Sequence, residues 1–389
     1  MNGSNSCHLC GSSNTNTFFD LPPVPTMDGV MSTTKAEALS VARGKVQLQF
    51  CSDCTFIQNI GYDPSKICFD SYDFANDYSP LFSEFVLEIS RRLIDTYGIR
   101  SKHIVEVASG DGHFLRTICK LGNNTGTGID PGFDFSDSEE ENRTVSFLQE
   151  YYSDKHRQIR ADLVICRHMI NVIGNSKEFL QLLRTNLEDS RDTLVYLEVP
   201  NAEYTFGDRI YWNVGYEHGA WFTTSSLKKM MEACHFEVLE VFTCWNDEFI
   251  GLIAKPKPGK EVKTLKTIPN GIHKLVSNFS MGFDDLKKSE ENLLSSKEFE
   301  DLKIVAWGAG ARAVTYFNVL NTNSKIEYIV DINVNRQGKY LPGSGTKIVE
   351  PDFLLEYKPD IVIITNPTYT DEITKHIRSM GLKSRIMTL

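Results

Sequence analysis

Apolar and polar positions along the 389-residue chain fall into three blocks. The first, residues 1–75, opens in Ser, Asn, Thr and Pro, and its clearest element is the strand-like run "KVQLQFC". In the second, residues 76–256, an amphipathic helix, "PLFSEFVLEISRRLIDTYG", leads into a buried strand, "HIVEVAS". The strand candidates "GTGID", "ADLVICR", "DTLVYLEVP", "FEVLEVF" and "FIGLIAK" follow, with helical patterns such as "SSLKKMMEACH" between several of them. That alternation of strand and helix periods predicts an α/β unit around a mostly parallel sheet. A polar, Pro- and Gly-containing break, "KPKPGKEVK", opens the third block, residues 257–389. There a long polar helix, about Ile272 to Ser296, precedes a second α/β start: "KIVAWG", a helix, "IEYIVD" and "PDIVIIT".

Composition narrows the function classes. A chain that is 41% apolar and 24% charged is globular, and its length suits two or three domains. No apolar run approaches the roughly 18 residues that span a bilayer. The start, "MNGSNSCHLCG", has neither the basic nor the apolar region of a secretory signal, so a cytoplasmic protein is expected. A net charge of -10 argues against a nucleic-acid partner, whose phosphates call for clustered Lys and Arg.

Four of the nine cysteines form two C-x-x-C pairs, Cys7/Cys10 and Cys51/Cys54. In a reducing compartment such knuckles bind metal more often than they form disulfides. Four thiolates close a tetrahedral zinc shell with no open position, so a structural zinc is expected, with His8 a bystander.

Two glycine turns follow strands. In "VEVASGDGHFL", Glu106, Ser109, Gly110, Asp111 and Gly112 line a turn at a strand's C-terminal edge, where open α/β sheets bind ligands. Downstream, "GTGIDP" sets Asp130 and Pro131 at the next strand end, where a carboxylate can accept both hydroxyls of a ribose. The form "E-x-A-S-G-D-G" favours S-adenosylmethionine (SAM) over a dinucleotide, and an empty structural turn is the bland alternative. The second turn, "VAWGAGARAVTYFN", carries Gly308, Gly310 and Ala313, with Asp331 one strand later. A lone dinucleotide fingerprint is weak, and a packed unit without a cofactor is the better reading there.

The ordered set "CHLCG…CSDCTFIQ", "YDFANDYSP", "VEVASGDGHFL", "ADLVICRHMI", "VYLEVPN", "YEHGAWFTTSSL", "WGAGARA", "VDINVNRQGKYLPG" and "PDIVIITNPTYTDEI" resembles the SAM-dependent sugar C-methyltransferases of deoxysugar biosynthesis over essentially the whole chain. The resemblance implies an N-terminal zinc-binding domain, a class I methyltransferase domain with a Rossmann-like sheet, and a C-terminal Rossmann-like domain. It implies that Ser109, Gly110 and Asp130 contact SAM, with Arg167 and His168 in the same cleft. It places Glu217 and His218 of "GYEH" against the methyl acceptor, His218 as general base, and makes Tyr72 an active-site tyrosine. The chain departs from the family at several points. Where many members read "ARHVLEH" it reads "CRHMINV", with Asn171 and Val172; where the sugar enzymes read "YHEH" it has Tyr216 at the first His. Phe74 replaces the second Tyr of a "Y-x-Y" pattern.

Carbon attacks a sulfonium methyl only after losing a proton next to a carbonyl, and a His beside a carboxylate suits that task on a nucleotide-linked 4-keto sugar. A salt-bridged structural corner is the competing reading of Glu217 and His218. The same residues would serve O- or N-methylation. From other classes, a nicotinamide-dependent oxidoreductase using the third block and a non-enzymatic nucleotide-binding module remain open.

Overall fold

A computed structural model describes residues 6–70, 72, 78–132, 144–190, 192–257, 271–320 and 325–389. Phe74 and most of the polar break after Lys257 lie outside the described residues.

The N-terminal unit is a small antiparallel sheet built from β1 (Thr15–Pro25), β2 (Arg43–Cys51) and β3 (Ile57–Asn59). β1 went unrecognised in the sequence because it holds Pro22, Pro23 and Pro25. It tolerates them as the edge strand, with its register shifted between Leu21 and Val24.

The central unit starts with the helix Pro80–Tyr97, bounded by the Ser79 hydroxyl, which accepts from the Phe82 amide, by Pro80 at the first position, and by left-handed Gly98. Its buried face, Phe82, Phe85, Val86, Ile89 and Leu93, lies on the sheet. The strands are β4 (His103–Val107), β5 (Thr125–Ile129), β6 (Val145–Leu148), β7 (Leu163–Arg167), β8 (Leu194–Pro200), β9 (Ala220–Trp221), β10 (Phe236–Cys244) and β11 (Phe249–Pro256). Seven of them form one sheet in the order β10-β11-β8-β7-β4-β5-β6, in which β11 alone runs antiparallel to both neighbours. The order reverses beside β4, the switch point at which such sheets bind ligands.

β9 belongs to neither the central nor the third sheet. It pairs antiparallel with β3, Ile57 opposite Trp221 and Gln58 opposite Ala220. The segment after "GYEH" thereby completes the N-terminal sheet.

The third unit carries β12 (Ile304–Trp307), β13 (Ile326–Val330), β14 (Lys347–Val349), β15 (Ile361–Ile364) and β16 (Arg385–Thr388) in an all-parallel sheet of order β14-β13-β12-β15-β16. The long helix Ile272–Leu294 joins the units. Its Phe279 and Phe283 pack on Phe19 of β1 at 4.8 and 5.0 Å between ring centroids, and on Tyr211 at 4.3 and 5.1 Å. One hydrophobic cluster thus runs through all three units and fixes the clefts between them. Among the described residues, no helix is long and apolar enough to cross a membrane.

Candidate active site

A cavity of about 330 Å³ opens over the C-terminal ends of β4, β5 and β7, and Ser109, Gly110, Asp111, Asp130, Pro131 and Arg167 line it. Asp130 is oriented by the backbone: one carboxylate oxygen accepts from the Gly110 amide at 2.9 Å, the other from Gly132 at 2.8 Å. Each oxygen keeps a lone pair for a hydroxyl. Two non-glycine residues at strand ends, Ala108 (φ 57°) and His168 (φ 54°), sit in the left-handed region, as strained residues at functional sites often do. Gly110 (φ 54°) leaves nothing within 4 Å of an added Cβ, so backbone faces open space there.

Glu106 also lines this cavity, buried, with one carboxylate oxygen lacking any partner. Burial pushes its pKa up to about 8, against the opposing charge of Arg167. A cationic ammonium fits that unmatched oxygen.

Arg167 and His168 are held from behind by Glu198, fully buried on β8. Its carboxylate accepts from Arg167 Nε at 2.9 Å and from the Tyr196 hydroxyl at 2.5 Å, and it pairs with His168 Nε2 at 2.9 Å. Burial alone would raise Glu198; Arg167, His168 and Tyr196 outweigh it and hold the carboxyl near pKa 2. The sequence reading quoted "VYLEVPN" without giving Glu198 a role.

His168 and Val172 are shared with a larger cavity of about 610 Å³, which lies between the three units. His218 lines this second cavity beside Trp221, its ring 4.5 Å from the indole centroid. Its Nδ1 is buried without a partner. Burial, reinforced by His168, lowers its pKa to about 4, so the imidazole is neutral at pH 7.

Glu217 points elsewhere. It accepts hydrogen bonds from the Asp28 and Gly29 amides and from the Tyr72 hydroxyl, inside a buried cluster completed by the Asp28 carboxyl. Asp28, from the N-terminal unit, lines the second cavity and carried no sequence signal.

The opposite wall comes from the third unit. Gly308 (φ 102°) and Gly310 bring backbone to its surface. Asp331 accepts from the Ala309 amide at 2.7 Å and from the Asn333 amide at 2.8 Å, repeating the arrangement of Asp130. Arg312 ties this turn to the central unit, donating to Asn213 at 2.5 Å and Glu248 at 2.8 Å, and within its own unit it donates to Asn366 at 2.9 Å.

Besides Glu217, the expected site residues Gly112 and Tyr216 sit outside both cavities. An added Cβ at Gly112 would meet the Phe147 ring at 2.3 Å, so this glycine admits that ring rather than a ligand. Tyr216 is fully buried, stacks on Tyr62 and accepts from the Asp63 amide at 2.8 Å. Asn171 lines the second cavity with a buried carbonyl oxygen that has no partner. Val172 lies between the cavities.

The four cysteines Cys7, Cys10, Cys51 and Cys54 converge, their sulfurs all within 4.8 Å of one another. Sulfurs about 2.3 Å from a zinc ion stand about 3.8 Å apart, and the Cys7–Cys54 and Cys10–Cys51 separations of 3.4 and 3.7 Å fit that ion.

Residues 74–241 match the model of a methyltransferase domain, and residues 270–384 match that of the C-methyltransferase C-terminal domain. By these two matches the chain carries the domains of a C-methyltransferase family. Its central unit is a class I methyltransferase domain, and the enzyme is SAM-dependent. The comparison with curated proteins gave no match. Among solved structures, a putative sarcosine dimethylglycine methyltransferase from Galdieria sulphuraria is 8% identical, with 51% of this chain and 94% of that chain covered and a TM-score of 0.37. The 1,6-didemethyltoxoflavin-N1-methyltransferase of Burkholderia thailandensis, solved with bound 1,6-didemethyltoxoflavin and S-adenosylhomocysteine, is 11% identical over 46% of this chain and 83% of that chain, TM-score 0.36. Human N-acetylserotonin methyltransferase in complex with SAM is 10% identical over 45% and 55%, TM-score 0.35. Likenesses this faint say nothing about acceptor or mechanism.

Proposed function

We propose that this C-methyltransferase transfers the methyl group of SAM to a carbon next to the keto group of a nucleotide-linked sugar, with His218 as the general base. The observation that carries the reading is the 610 Å³ cavity: His218 stands on one wall, the glycine turn of the third unit on the other, and the smaller cavity adjoins at His168. A glycine turn opening a helix suits phosphates, and a keto sugar linked to them would then reach His218. SAM supplies an electrophilic methyl when bound, with Asp130 toward its ribose and Glu106 toward its ammonium. Ser109, Gly110, Asp111, Pro131, Arg167 and His168 form the rest of that cleft.

The apolar setting of His218 defines its chemistry. A neutral imidazole in dry surroundings is ready to accept a proton, yet a pKa near 4 makes it a weak base toward water. Abstraction creates an imidazolium and an enolate together, and their mutual attraction in a low-dielectric cavity offsets the weakness. Asn171 and Val172 make this wall less charged than the acidic and His residues that many family members carry there, which points to a different acceptor substituent. A structural zinc in the Cys7–Cys10–Cys51–Cys54 cluster would hold the sheet that β9 completes, and through it the His218 loop.

A screen of labelled SAM against nucleotide-linked keto sugars tests the reading. Transfer to carbon, with solvent deuterium entering at the same position, supports it; transfer only to oxygen or nitrogen acceptors overturns it.

A further inference from the structure

The buried cluster around Glu217 assembles groups from all three units. Asp28 comes from the loop after β1, Tyr72 from the junction with the central domain, and Glu217 from the loop before β9. The Tyr72 hydroxyl donates to Glu217 and stands 3.4 Å from an Asp28 carboxyl oxygen. Glu217 also accepts from the Asp28 backbone amide, and the two carboxyl groups lie within hydrogen-bonding reach of each other. Arg336 of the third unit is the cation whose field reaches Asp28 and Tyr72. Two carboxyl groups in hydrogen-bond contact, both buried, cannot both remain ionised without a proton between them.

Asp28 and not Glu217 reaches the cavity, where it shares the walls with His218 and with Asn171. Asn171 is 3% exposed and its side-chain carbonyl oxygen lacks a partner, so this wall offers an acceptor to a polar ligand. Gly215 makes room for the arrangement, since an added Cβ would lie 2.9 Å from an Asp28 oxygen.

We infer that Asp28 is the acid of the reaction: with the proton it shares with Glu217, it hydrogen-bonds the acceptor's carbonyl oxygen and stabilises the enolate that forms when His218 takes the neighbouring C–H proton. The inference rests on the carbon-acid reading of the function. The electron balance is simple. The C–H pair becomes the carbon–carbon double bond of the enolate, and the carbonyl π pair moves to oxygen, against the Asp28 proton. That carbon then takes the methyl as the carbon–sulfur bond breaks, the carbonyl re-forms, and the Asp28 proton returns to the pair. One proton leaves with His218. Glu217 is a positioning residue, fixed by Tyr72 and by the Asp28 amide.

Burial keeps one proton on the pair. It pushes Asp28 up to about 6, partly offset by Glu217, Tyr72 and Arg336, and with the charge of Asp28 it pushes Glu217 well above the usual carboxylate range. A proton held by a buried carboxyl pair is available as a donor to an enolate oxygen, as a neutral carboxyl in an apolar site is in other enzymes.

Two measurements test the inference on the full-length protein. The first is infrared spectroscopy near pH 7 in ordinary and deuterated water. Wild type minus Asp28→Asn and wild type minus Glu217→Gln should each show the loss of the same protonated-carboxyl C=O band, with Glu106→Gln marking the separate band of Glu106. No band lost in Asp28→Asn, or two distinct bands lost in the two variants, overturns the shared proton. The second uses a nucleoside-diphosphate 4-keto-6-deoxyhexose as probe. Asp28→Ala, which removes the donor, should slow both deuterium exchange beside the ketone and methyl transfer by roughly 10²–10³-fold, as loss of an oxyanion donor does, with SAM affinity unchanged. Exchange at the wild-type rate in Asp28→Ala overturns the role of Asp28. A wild-type enzyme that methylates no keto sugar refutes the proposed function, and the infrared result still decides the shared proton by itself.

Discussion

Glu217 and His218 are adjacent in the chain, yet their side chains part: Glu217 enters the buried cluster with Tyr72 and Asp28, and His218 faces the cavity against Trp221. The salt-bridged corner weighed from sequence does not form. The loop instead gives each residue its own wall, because β9 pins the segment just beyond it to β3.

This separation makes His218 testable by itself. His218→Asn keeps size and polarity but removes the base, so methyl transfer and deuterium exchange should both fall by ~10²–10⁴-fold. Isothermal titration should show SAM affinity nearly unchanged, since His218 lines the second cavity and not the smaller one. An unchanged rate would return His218 to a structural role.

Glu106 predicts a proton signature of cofactor binding. Its folded pKa of about 8 means it is largely protonated at pH 7 in the free protein. A bound ammonium favours the ionised form, so SAM binding at pH 7 should release close to one proton. Calorimetry in buffers of different ionisation enthalpy reads this directly, and Glu106→Gln should abolish it. The same raised pKa bears on stability. A carboxyl held protonated contributes fully below its unfolded pKa of 4.5 and loses that contribution as pH rises through 8. Glu106→Gln should therefore stabilise the free protein by a few kcal/mol at pH 8 and above, and little at pH 5.

The pattern of what the sequence revealed follows from the range of the interactions. Strand and helix periods, the glycine turns and the C-x-x-C pairs are local, and they pointed to the α/β alternation, the turn beneath the smaller cavity and the cysteine cluster. Asp130 and Asp331, each at the end of the second strand of its unit and each accepting from a glycine-turn amide, were readable from spacing alone. Asp28 was not. It sits in a loop without periodicity, and its chemistry arises only when Tyr72 and Glu217 arrive from distant parts of the chain. Gly112 and Tyr216 looked functional because they lie inside functional motifs, but one admits the Phe147 ring and the other packs on Tyr62. Glu198 was hidden for a different reason: a carboxylate inside an apolar strand reads as an exception until its partners on β7 are seen.

The cysteine cluster gives a prediction about folding. About one zinc per chain is expected from elemental analysis of freshly purified protein. Chelation, or Cys51→Ser, should loosen the N-terminal sheet and, because β9 is its fourth strand, lower activity even though the cluster touches neither cavity. A metal-free protein that stays folded and active would refute the structural zinc.

Glu198 offers the sharpest stability test. It is fully buried, and Arg167, His168 and Tyr196 all direct polar hydrogens or charge at it. Glu198→Gln keeps the shape but leaves the Arg167 guanidinium buried without its counter-charge, and breaking a buried pair in this way costs about 3–5 kcal/mol. The pH dependence has a definite sign. Because the folded pKa, about 2, lies below the ordinary 4.5, the contribution of Glu198 is fully present above pH 4.5 and is lost as pH falls toward 2. Urea titrations should therefore find the variant weaker than wild type at pH 7, with the gap narrowing below pH 4.5. On the proposed function the substitution should also weaken SAM binding, since Arg167 and His168 line the smaller cavity and Glu198 fixes both. A variant as stable as wild type at pH 7 would mean that Phe114, over which the guanidinium stacks at 4.3 Å, holds Arg167 without help from the carboxylate.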